Sequence, residues 1–161
     1  VHSLLEIAAG FSSLFNIENS VACAGPTICN FGINDSQELL LSILEVFKNQ
    51  SDEIRAALPR TLISGCPNSC SQHQKGLIGL TGRKSRTEQG MVPTYSISFN
   101  GKVGPGVARF GDVYGNIPAD KIPAFFLELA NLKVNSGYTC FTEFTKEKEA
   151  DIKGLVSNYS L

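Results

Sequence analysis

Four cysteines stand in two tight pairs. Cys23 and Cys29 have five residues between them, Cys66 and Cys70 have three, and 36 residues separate the pairs. Thiolates are soft ligands, and four of them suit zinc or an iron–sulfur cluster. Structural zinc sites take each pair in a knuckle of about two to four intervening residues, and Cys23–Cys29 is too wide for that. A cubane is larger than one ion, and a loop such as 24–28 is long enough to wrap one of its faces. Spacing therefore favours a 4Fe–4S cluster, with zinc, disulfides and free thiols as the alternatives. Cys140 lies far from the quartet and reads as a free structural thiol.

The elements around the pairs are expected to present them. Residues 20–24 are short and strand-like and run into Cys23. Arg60–Ser64 reads as a second strand leading into Gly65-Cys66, so both pairs fall at strand ends. Between them Asp35 is placed to cap a helix, with Glu38 three residues on as in a capping box, and Leu39, Leu40, Ile43, Leu44 and Phe47 form its apolar stripe. The polar segment 48–53 ends that helix, and a short one covers 53–58. Residues 76–81 form a strand, and 82–93 a polar loop. Tyr95, Ile97 and Phe99 alternate with serines up to Asn100-Gly101, which predicts a type I′ hairpin into Lys102-Val103. The stretch through Gly104-Pro105-Gly106 and Gly111 to Gly115 is irregular, a helix covers 120–132, and a last helix covers Thr142–Val156. Residues 3–16 form a short amphipathic helix or the tail of a preceding domain. The expectation is α+β, a mixed sheet with helices packed on it, with 1–18 as linker or preceding helix and 19–161 as one domain.

At 161 residues, 42% hydrophobic and 18% charged, the chain is long enough for one domain with its own core. A net charge of −1 gives no bulk attraction to nucleic acid or an anionic membrane. No apolar run approaches the roughly 20 residues that span a bilayer. Val1-His2-Ser3-Leu4-Leu5-Glu6 lacks the basic flank and apolar stretch of a signal peptide. The only methionine is Met91, which reads as a piece of a longer protein. Clustered cysteines without a secretion signal point to a reducing compartment, and hence to the cytoplasm. No Ser/His/Asp set, metalloprotease string or phosphate-loop pattern is present.

The strings Ala22-Cys23-Ala24-Gly25 with Cys29-Asn30-Phe31-Gly32, Gly65-Cys66-Pro67-Asn68-Ser69-Cys70-Ser71-Gln72-His73, and Ile78-Gly79-Leu80-Thr81-Gly82 closely resemble the siroheme- and 4Fe–4S-containing nitrite/sulfite reductases. Phe99-Asn100-Gly101-Lys102 and Ile117-Pro118-Ala119-Asp120-Lys121-Ile122-Pro123 also look like that family's layout, so the resemblance covers roughly residues 20–132. It implies that Cys23, Cys29, Cys66 and Cys70 are the cluster ligands, with Cys70 also bridging to the siroheme iron. Gly65 would let the backbone approach the flat macrocycle. Asn68 would offer an amide to a siroheme carboxylate or a cluster sulfur, or is, with Pro67, a plain turn residue. His73 lies near the haem or is a hydrogen-bonded structural histidine. Lys75, Arg83, Lys84 and Arg86, and more weakly Arg109, suit siroheme carboxylates, an acidic donor protein, or a solvated loop.

The family's enzymes are several times longer and are built from two related halves, with the substrate-binding cations largely in the half that precedes these cysteines. The resemblance thus implies a C-terminal, cluster-bearing part of a reductase that takes nitrite to ammonia or sulfite to sulfide by six electrons, inactive alone and with siroheme retention in doubt. Its partners would be the missing N-terminal half and a ferredoxin or flavoprotein donor. A non-catalytic iron–sulfur electron-transfer or structural module of the same fold is the alternative. Nitrite and sulfite are not distinguished by these residues.

Overall fold

The computed structural model describes residues 15–88 and 90–161. The helix expected over 3–16 lies outside the described residues except for Phe15 and Asn16. Asn16–Asn19 form one 3-10 turn whose Ile17 is fully buried in the main core, and Arg55 Nε donates to Glu18 Oε1 at 2.9 Å.

One mixed sheet runs in the order β1 (Val21–Ala22), β2 (Thr61–Ser64), β3 (Ile78–Thr87), β4 (Gly90–Phe99) and β7 (Asp112–Pro118). β1, β2 and β3 are parallel neighbours, while β3, β4 and β7 are antiparallel. The crossover from β1 to β2 carries α1 (Ser36–Lys48) and α2 (Asp52–Ala57). Parallel pairing decides where the chemistry falls: β1 and β2 end side by side, so Cys23 and Gly65-Cys66 leave the sheet at the same end. Asp35 caps α1, accepting from the Gln37 and Glu38 amides at 3.0 Å each, as its side chain and position require.

β4 separates two environments by simple alternation. Tyr95, Ile97 and Phe99 face the core and are fully buried, alongside Ile63, Ile78, Leu80 and Ile117. Leu39, Ile43 and Phe47 of α1 and Phe125, Phe126 and Leu129 of α3 (Ile122–Ser136) complete that core. Thr94, Ser96 and Ser98 alternate with these core residues along β4, and Ser96 lies opposite Thr81 of β3. α3 carries Pro123 in its first turn and ends at Gly137, whose φ of +73° is the left-handed conformation that suits glycine.

Three expectations are corrected. The polar loop over 82–93 is instead the far end of the β3–β4 ladder, which pairs without interruption from Ile78↔Phe99 to Thr87↔Gly90. Its charged residues are exposed, so no apolar period betrayed the strand. Pro93 is tolerated because β7 stops at Pro118, opposite Thr94, so no strand flanks β4 there on its β7 side. The Asn100-Gly101 hairpin does not form, because β3 and β7 already occupy both edges of β4. β5 (Lys102–Gly104) instead pairs with β6 (Val107–Arg109) in a separate ribbon. Of the two turn residues only Asn100 takes a positive φ, +66°.

The single last helix is two, α4 (Phe141–Glu147) and α5 (Glu149–Tyr159), broken at Lys148. Each buries its own stripe. Phe141 and Phe144 meet Phe99 and Tyr138, while Tyr159 stacks edge-on against Phe125. No helix among the described residues is long and apolar enough to cross a membrane.

Candidate metal centre

Gly65 joins the two cysteine segments. Its N–H donates to Cys23 Sγ at 3.1 Å, and its carbonyl accepts from the Ile33 and Asn34 amides at 3.2 and 3.0 Å. The packing leaves no room for a side chain. A Cβ on Gly65 would lie 2.4 Å from the Asn34 carbonyl oxygen, and one on Gly82 would lie 2.2 Å from the Gly65 carbonyl oxygen. The two loops and β3 therefore stack backbone on backbone. Glycine at 65 is required by the chain itself, beside any macrocycle it would approach.

The first segment turns at Gly25, φ +71°, where the Cys29 amide donates to the Gly25 carbonyl at 2.9 Å. Gly32 closes that loop, since a Cβ there would meet Pro26 N at 2.6 Å. The second segment turns through the exposed Pro67 and Asn68 and holds Ser69 and Gln72 in the left-handed region at φ +60° and +57°. Behind it lies a buried chain of polar contacts. Ser64 Oγ is 2.6 Å from Ser71 Oγ and 2.9 Å from His73 Nδ1.

The sulfurs sit in graded environments. Cys66 is buried, Cys23 and Cys29 are half-buried, and Cys70 is exposed; all are free thiols. Burial alone would push the Cys23 thiol up. Donors from Gly65, Ser36 and Gly25 outweigh it and hold its pKa below the usual thiol value. The Ser36 hydroxyl lies within reach of both Cys23 Sγ, at 3.2 Å, and the Cys23 carbonyl, at 2.9 Å, and its one proton turns to the sulfur when the thiol ionises. Among the described residues, no three His, Cys, Asp or Glu side chains converge on a single-ion site. Cys23 is in contact with the residue before Cys66, and Cys29 and Cys70 stand on the flanking turns.

His73 is buried, and burial, then the Arg83 guanidinium, lowers its pKa below the ordinary value. Pro67, His73, Gln74 and Arg83 line a cavity of about 210 Å³ with Thr81, Ser96 and Ser98. The four basic residues after the second pair do not act together. Alternation along β3 sends Lys84 and Arg86 to the face opposite Arg83, and Lys75 lines a different cleft at the other end of the sheet. Arg109 pairs with Asp112 on the ribbon side. Cys140 is exposed at the start of α4, away from the quartet.

Sequence reasoning passed over the residues that hold the loops. Asn34 donates from Nδ2 to the Arg83 and Thr94 carbonyls at 2.9 and 2.8 Å, tying the first segment to β3 and β4. Tyr95 Oη donates to the Asp35 carbonyl at 3.0 Å, and burial with the Asp35 carboxylate nearby raises its pKa.

No family model matches the chain. It is 39% identical over 88 residues to the ferredoxin–nitrite reductase of Synechococcus elongatus, a match covering 53% of this chain and 16% of that one. The ferredoxin–nitrite reductase of Leptolyngbya laminosa is 28% identical over 106 residues, 66% of this chain and 20% of that one. The structure of the Mycobacterium tuberculosis NirA protein superposes with a TM-score of 0.68 at 22% identity, over 83% of this chain and 26% of that one, and shares the fold. The chain thus spans between a sixth and about a quarter of the length of these proteins. Over that span it is similar in sequence to these two nitrite reductases and shares the fold of the NirA protein.

Proposed function

We propose that this chain is the cluster-bearing part of a nitrite or sulfite reductase, with Cys23, Cys29, Cys66 and Cys70 as the ligands of a 4Fe–4S cluster. The observation that carries the reading is the Gly65 N–H donating to Cys23 Sγ, because it joins the first cysteine of one pair to the turn that holds the other pair. The donor set fits: four free thiols, with backbone and hydroxyl donors already directed at one sulfur. Cys70, the most exposed of the four, is the thiolate that would be shared with a siroheme iron.

When bound, cluster and siroheme would pass the donor's electrons, one at a time, toward the six-electron reduction. The chain's own residues bind, orient and charge the site. Gly65 keeps the two loops in contact, Asn68 presents its amide from the exposed turn, and Arg83 puts a guanidinium beside the second loop. Ser64 anchors that loop from behind through its hydrogen bonds to Ser71 and His73. A bound oxyanion needs further preorganised cations. These, with the missing N-terminal half, are proposed to come from outside residues 19–161, the cluster-binding domain. The names of the relatives support ferredoxin as electron donor, and clustered cysteines suited to metal support a reducing, cytoplasmic setting.

Anaerobic preparation with iron and acid-labile sulfide analysis tests the site. Roughly four of each per chain is the expected result, and serine at any of the four positions is expected to lower both. Zinc in their place would overturn the reading. Turnover of nitrite or sulfite with reduced methyl viologen is expected only when the preceding half is present; a loaded protein with that half and no turnover would favour a non-catalytic iron–sulfur module.

A further inference from the structure

The end of the sheet opposite the cysteines carries a second cleft. The residues before β2, the residues before β3 and those following β4 enclose a cavity of about 450 Å³, within the usual size of a small-ligand site. Arg60, Lys75 and Lys102 line it, together with Asn100, Leu62 and Leu77, and no carboxylate does. None of these three cations makes an ion pair among the described residues, whereas Lys48, Arg55, Arg109, Lys148 and Lys153 each meet a carboxylate. A chain of net charge −1 has therefore gathered three uncompensated positive charges around one concavity.

The floor is rigid backbone. A Cβ at Gly101 would fall 2.5 Å from the carbonyl oxygens of both Gln74 and Gly76, and the Asn100 and Gly111 amides bond the Leu77 and Gln74 carbonyls at 3.0 and 2.9 Å. Thr145 Oγ1 occupies Asn100 Oδ1 at 2.8 Å, so the Asn100 side chain has mainly its Nδ2 donor left to offer. The site thus presents donors and cations, which is the chemistry of a multiply charged anion.

A side recess of about 180 Å³ shares Lys75, Lys102 and Val103 with the main cleft and leads to Phe110. The Phe110 ring is 69% exposed, next to cations and beside a cavity, where a planar ligand has a face to stack on. We propose that this cleft binds a nucleotide: the phosphates among Arg60, Lys75 and Lys102, the base on Phe110. The proposal is independent of the cysteine centre.

Calorimetric titration of the protein, in its natural length and with its cofactors loaded, tests it with ADP, pyrophosphate and adenosine. ADP is expected to bind most tightly, pyrophosphate more weakly and adenosine not measurably. A Lys75→Ala/Lys102→Ala double variant is expected to weaken ADP and pyrophosphate by about tenfold or more. Phe110→Ala is expected to weaken ADP and leave pyrophosphate unchanged. All three side chains are exposed, so circular dichroism and melting of the variants are expected to match the parent. No ADP binding at millimolar concentration, binding that survives loss of both lysines, or pyrophosphate binding as tightly as ADP would each overturn the proposal.

Discussion

The Gly65 amide donates to Cys23 Sγ at 3.1 Å, so the residue that opens the second cysteine turn also solvates the first sulfur of the other pair. One backbone group therefore couples two segments more than 40 positions apart in sequence. It does so because β1 and β2 are parallel and end together. Neither pair is positioned independently of the other.

Gly65→Ala should break that coupling. Its Cβ would meet a backbone oxygen at 2.4 Å, which cannot rotate away as a side chain would. Overpacking of this kind costs roughly 1–3 kcal/mol, and chemical denaturation of the two proteins measures it. Gly154→Ala is the matched control. Gly154 lies inside α5 with nothing within 4 Å of its Cβ position, and alanine there should stabilise by about 0.5–1 kcal/mol. Equal effects of the two substitutions would refute the close-approach argument.

Ser36→Ala tests what holds the Cys23 thiol down. Burial opposes ionisation, and the Gly65, Ser36 and Gly25 donors prevail. Removing one of the three should raise the thiol pKa toward its ordinary value. Alkylation of the reduced, metal-free protein should then require a higher pH at Cys23 than in the parent, read by mass spectrometry of the Cys23 peptide. An unshifted profile would assign the effect to the backbone amides alone.

Much of this centre was legible in the order of residues. Cysteine spacing and the strand-like runs before Cys23 and Cys66 pointed to two loops leaving a sheet, and Asp35 announced α1 through its capping chemistry. What stayed hidden was non-local. The closeness of Gly65 to Asn34 and Gly82 depends on which strands are neighbours, which no short-range pattern encodes. The β3–β4 ladder was missed over 82–93 because Lys84 and Arg86 are solvated there and alternation carries no apolar signal. The Asn100-Gly101 turn was misread for the complementary reason: its local chemistry was right for a hairpin, but β4 had no free edge.

His73 should make the second cysteine loop acid-labile. Burial first, then Arg83, holds its pKa below 6.5, so the folded ring is neutral. As pH falls through the window between 6.5 and that lower value, the unfolded chain takes up the proton first and stability drops. Thermal midpoints of the metal-free protein between about pH 5 and 8 should decline on the acid side. His73→Asn should flatten part of that slope, and Arg83→Gln, by letting the folded value rise toward 6.5, should narrow the window from its lower end and lessen the loss. Parallel curves for parent and His73→Asn would show that other groups govern the acid limb.

Lys133 sets two effects against each other. It sits in the last turn of α3, where a cation gains about 0.3–1 kcal/mol from the helix dipole when exposed. Yet only 8% of it is exposed, and burial lowers its pKa from 10.5, against a smaller upward pull from Cys140. A lowered lysine pKa means that the folded environment disfavours the charge on balance, so desolvation wins over the dipole. Below the folded value both states carry the charge and the full penalty applies. As pH rises from there toward 10.5 the folded lysine releases its proton first, and stability should climb. Lys133→Met keeps the stem and removes the charge, so it should raise the neutral-pH melting temperature by about 2–5 °C and abolish that alkaline rise. Differential scanning calorimetry at neutral and alkaline pH reads both. A lower melting temperature for the variant would mean that the ammonium reaches water and the dipole term prevails.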